Sequence, residues 1–64
     1  MKYTVNLRVE THSGVKVEPY NVTAGNKKSA ESIAAAQAME KHGHDNVTEI
    51  SAVSVTEVFH DEVA

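Results

Sequence analysis

Residues 2–10, "KYTVNLRVE", alternate without a break between apolar and polar side chains. This period of two belongs to a strand with one face buried, because successive side chains along a strand point to opposite sides. Tyr3, Val5, Leu7 and Val9 therefore share one face, and Thr4, Asn6, Arg8 and Glu10 share the other. Such a strand cannot stand alone. Its apolar row needs a cover, and its backbone needs a neighbouring strand.

The chain supplies candidates for each. "THSG" suits a tight turn at Gly14, and "VKVEPYNVT" (15–23) reads as a second strand. Pro19 carries no N–H, so this strand is expected at an edge, or bent there. Val15 and Val17 are out of phase with Val22, which raises the expectation of a register shift at Pro19. The period then changes. In "AGNKKSAESIAAAQAMEKHG", Ala30, Ile33, Ala34, Gln37, Ala38 and Lys41 fall on one helical face, with Ala35 and Met39 on a different side. Asn26 is suited to the N-cap and Gly43 to the helix stop. "VTEISAVSVTEVF" closes the set as a long strand. Val53 and Val55 share a face there, and Val58 is one step out of phase, so a bulge near Thr56 or Glu57 is expected.

The order β-β-α-β implies an α+β fold, a ββαβ two-layer sandwich. Its simplest form is a three-stranded, mainly antiparallel sheet in the order 2-1-3, with the helix on one face. A parallel pairing of the second and third strands through a right-handed crossover is the alternative. One domain over 1–59 and a short acidic tail over 60–64 account for the chain.

Composition limits what such a domain can do. Ten valines and eight alanines stand against one leucine, two isoleucines and one phenylalanine, so the core is light. No cysteine is present to reinforce it or to hold zinc. Self-association is the natural remedy. The net charge of −3 gives no basic surface for nucleic acid. No apolar run reaches the ~20 residues of a membrane span. The first residues form a strand rather than a signal peptide, so a cytoplasmic location is expected, and Asn21-Val-Thr23 and Asn46-Val-Thr48 read as chance glycosylation matches.

Four stretches are candidate sites. "EKHGHDN" (40–46) gathers His42, His44 and Asp45. His42 fits a helix end, where the macrodipole favours positive charge. A metal would need His42 and His44 to converge across Gly43 with two further ligands from Asp45, His12 or His60. "AGNKKSA" places Lys27 and Lys28 in a first helical turn, where cations are disfavoured. Gly25, Asn26, Lys27, Lys28 and Ser29 thus form a candidate anion or nucleic-acid site. The polar row Thr4, Asn6, Arg8 and Glu10 carries no aromatic side chain for stacking bases, and reads as a solvated or a protein-binding face. The last strand is expected at an edge, where a second copy could extend the sheet across a two-fold axis, with Ala35, Met39 and Phe59 adding contact. No nucleophile setting or carboxylate pair points to catalysis, and no cofactor is implied.

"YNVTAGNKKSAESIAAAQAME" (20–40), followed by the valine-rich "ISAVSVTEV", resembles a pattern in small ββαβ proteins of phages and bacteria. The resemblance implies the same fold, a phage or prophage origin, and a role in binding a host protein. It implies no active-site residues. Together these readings lead to a non-enzymatic protein that binds another protein or itself, with anion or nucleic-acid binding at the helix start as the alternative.

Overall fold

A computed structural model describes residues 1–58 of the chain. Strand β1 runs Lys2–Thr11, β2 Gly14–Thr23, helix α1 Lys27–His42, and β3 Val47–Val58. The sheet order is β2-β1-β3, and both pairings are antiparallel. The crossover alternative is therefore set aside: β3 pairs with β1, not with β2. Phe59 and the expected tail at 60–64 lie outside the described residues.

The alternating row of β1 forms the floor of the core. Tyr3, Val5, Leu7 and Val9 are buried, joined by Val22 from β2 and by Ala30, Ala34 and Ala38 from α1. The three alanines at i, i+4 and i+8 make a single stripe, and lacking longer side chains they let the helix lie close on the valines. The expected apolar face was broader. Ile33 is 37% exposed and Gln37 and Lys41 are exposed, whereas Ala35 and Met39 are half-buried. The helix is rolled so that the Ala35 and Met39 side, not the Ile33 side, turns towards the sheet.

Local signals at the helix ends act as read. Asn26 accepts a hydrogen bond from the Ser29 N–H at 2.8 Å through Oδ1. Gly43 has φ 89° and ψ 131° and donates its N–H to the Met39 carbonyl at 2.8 Å. At the hairpin, Thr11 faces Gly14 across a two-residue turn, and Gly14 has φ 140°.

Two strand readings need correction. Pairing of β1 with β2 continues through Pro19, opposite Asn6, with no register shift. Proline on an edge strand can turn its nitrogen to the open side and interrupt no ladder. Val15 and Val17 are out of phase with Val22 simply because they lie on the outer face, opposite Glu10 and Arg8. On β3 the extra residue is Val53, not Thr56 or Glu57: Asn6 faces Ser54 and Leu7 faces Ala52. A second irregularity at Thr48 falls between Glu10 and Thr11. Val55 thus faces the core opposite Val5, Val53 is 59% exposed, and Val58 lies opposite Lys2 on the outer side.

Candidate functional site: the β3 flank and the Glu18 clamp

Register decides where polar groups end up. Leu7 faces Glu18 and Val5 faces Tyr20, so both β2 side chains point to the helix side of the sheet. The last turn of α1 carries Lys41 and His42 above them. Glu18 becomes the centre of a clamp. Its Oε1 accepts from Tyr20 Oη at 2.7 Å and lies 2.9 Å from His42 Nε2; its Oε2 accepts from Lys41 Nζ at 3.4 Å. The acceptor-only carboxylate requires the proton on His42 Nε2. The Glu18 and His42 side chains are only 16% and 15% exposed.

These contacts hold the Glu18 carboxyl at about 2, against an ordinary 4.5. The hydrogen bond from His42 is the largest cause and that from Tyr20 the next, partial burial opposes them, and Lys41 adds a smaller contribution. Tyr20 is pushed up to about 12, first by burial and then by its bond to the Glu18 carboxylate. A carboxylate so strongly engaged is a poor general base at neutral pH, since efficient proton transfer needs a group that titrates near the working pH. The clamp is therefore a fastening. It pins the C-terminal end of α1 over β2, at one side of the sheet.

The opposite side is left half covered. Between α1 and β3 runs a shallow groove of about 310 Å³ lined by Ala35, Met39, Val47 and Ile50. A second hollow of about 230 Å³ adjoins it, sharing Ala35 and Ile50 and reaching Leu7 and Ala52. Val47, Ile50 and Val55 pack partly against the core. Beyond β3 no further strand lies among the described residues, so one edge of its backbone stays open.

The other sequence candidates fare differently. On the outer face the central row is tied into the sheet. Thr4 bonds Asn21 at 2.9 Å, Asn6 bonds Ser54 at 2.9 Å, and Arg8 pairs with Glu10 at 2.7 Å. At the helix start Lys27 and Lys28 are exposed, but the Ser29 N–H is already capped by Asn26, so Gly25 to Ser29 offer an anion one amide fewer. The His12 N–H bonds the Asn46 carbonyl at 3.1 Å, which brings the hairpin turn beside the loop of His44 and Asp45. Even so, no three His, Asp or Glu side chains among the described residues gather as a metal site, and His42 is turned to Glu18. Among the described residues no helix is long and apolar enough to cross a membrane.

Sequence reasoning missed the clamp. Its signal was nevertheless present: counting back in twos from Val22 gives Tyr20, Glu18 and Lys16, the helix-facing set. Comparison with protein-family models, with curated proteins and with solved structures finds no match.

Proposed function

We propose that this chain is a non-enzymatic protein-binding module whose contact surface is the β3 flank: the open edge of the strand and the groove beside it. One observation carries the reading. Over twelve residues, "VTEISAVSVTEV", β3 contains no proline, lysine or arginine to blunt its edge, and its irregularities at Thr48 and Val53 leave 49–52 and 54–58 as regular stretches. The other edge, β2, carries Pro19 and Lys16. An open edge can accept a strand from another protein through main-chain hydrogen bonds, and pockets beside it can then sort side chains. Ala35, Met39 and Ile50 supply such a pocket.

Photo-crosslinking in the host cell tests this. A photoreactive residue at Val53 is expected to form protein adducts, and one at Val17, 60% exposed on the opposite edge strand, is not. Absence of protein adducts from Val53 overturns the reading.

A further inference from the structure

We infer that the occupant of the β3 flank is a second copy of this chain, joined β3 to β3 about a two-fold axis perpendicular to the sheet. The product is a continuous six-stranded sheet with both helices on one face. This rests on the β3 flank being a protein-binding surface, and it names the partner.

The symmetry of β3 about its bulge is the first argument. Val9 faces Ile50, Leu7 faces Ala52, and Val5 faces Val55, so these three β3 residues lie on the helix side. Arg8 faces Ser51, Asn6 faces Ser54 and Thr4 faces Thr56, so those three lie outside. In a strand without a bulge, Ile50 and Val55 would be on opposite faces, because their separation is odd. The bulge at Val53 puts them on the same one. An antiparallel pairing of two copies can then set Ile50 against the second copy's Val55 and Ser51 against its Ser54, each pair matched in face, whereas Val47 and Val58, on opposite faces, mark where the matched segment ends. The same register sets Glu49 against Thr56, so neither acidic residue of the strand meets another directly across the seam.

The second argument is the helix position. Glu18 fastens Lys41 and His42 over β2, while Ala35 and Met39, earlier in α1, meet Val47 and Ile50 of β3 only across a shallow groove that stays open to solvent. A two-fold brings the same half-covered residues from another copy to that seam and closes both grooves at once. Size sets the strength. The eight matched residues 49–56 span about 26 Å, close to the roughly 24 Å length of the helix, and a strand with its packed helix stands about 15 Å deep, which gives roughly 400 Å² per copy. That is a small interface, so dimerisation is expected to be weak and concentration-dependent.

Light scattering on the full chain across concentration tests the proposal. The mass is expected to rise with concentration towards twice the 6.9 kDa of the chain. Ala52→Lys and Met39→Lys put a charge in the seam at positions exposed or half-exposed in one copy, and each should weaken dimerisation at least about tenfold with the circular dichroism unchanged. Val17→Lys should leave the dimer intact. Where a variant loses its fold, mixed-label NMR on the unmodified chain decides: Ile50 and Val55 methyls of different copies should show mutual contacts. A monomer at every concentration, or a dimer without those contacts, overturns the inference. If a monomer still forms foreign-protein adducts at Val53, only the choice of partner fails. If it forms none, the binding reading fails too.

Discussion

His42 Nε2 lies 2.9 Å from Glu18 Oε1, and this contact joins the last residue of the helix to the middle of an edge strand twenty-four positions earlier. With Lys41, which also reaches Glu18, it uses polar groups, rather than alanines on valines, to set how the two layers lie. Its consequences can be measured.

Acid should weaken the fold through Glu18. Its folded value of about 2 lies below the ordinary 4.5, so its contribution to stability is complete above pH 4.5 and is lost as pH falls towards 2. Solvent at the helix end screens the contacts, so the expected loss is about 1 kcal/mol rather than the full equivalent of the shift. Urea titrations of the protein and of Glu18→Gln should converge at the acid end of that window and separate above it. Equal stability of the two at pH 7 would show that the clamp contributes nothing.

Tyr20 should report the same contacts from the alkaline side. Its raised value means a contribution that is complete below pH 10 and fades as pH approaches 12. Ultraviolet titration of phenolate formation should place Tyr20 late, and Glu18→Gln should bring it earlier by removing the negative charge and leaving only a weaker, neutral acceptor. Tyr20→Phe should in turn raise the carboxyl of Glu18, read by its carbon chemical shift.

Leu7→Ala should remove a large share of the chain's stability. Leu7 is the largest of the fully buried side chains. Its truncation costs about 2–5 kcal/mol. A chain of this length has roughly 3–10 kcal/mol in all, taking ~0.05–0.15 per residue. Ala34→Leu should also destabilise, by about 1–3 kcal/mol, because Ala34 has no exposed surface and a larger side chain would lift the helix from the sheet. Thermal melts followed by circular dichroism measure both, with exposed Ala36→Leu as a near-neutral control.

Gly43 should resist replacement even by asparagine. At φ 89° and ψ 131° it lies outside the left-handed basin where asparagine is at home. A Cβ would meet nothing within 4 Å, so the cost is backbone strain alone. Gly43→Ala and Gly43→Asn are both expected to cost about 1–3 kcal/mol. Asn26→Ala at the other helix end should cost about 1 kcal/mol through the lost cap. A Gly43→Asn variant as stable as the parent protein would contradict the role assigned to that conformation.

The elements of this protein and their order could be read from the chain because each rests on local physics. Alternation of Tyr3, Val5, Leu7 and Val9 makes a half-buried strand wherever it occurs, and Asn26 and Gly43 end a helix by bonds to residues three or four positions away. The central place of β1 also followed as the simplest layout, since a hairpin sets β2 beside it and a helix crossing one face returns the chain to its other edge, with a parallel pairing of β2 and β3 as the alternative. What the tertiary structure alone decided is of another kind. The bulge at Val53, the roll of α1 towards Ala35 and Met39, and the meeting of Glu18 with His42 each depend on how distant segments fit once packed. A bulge is placed by matching two strands to one floor, and a helix of small side chains has no long residue to fix its rotation, so those choices are made by contacts that periodicity along a single element does not encode.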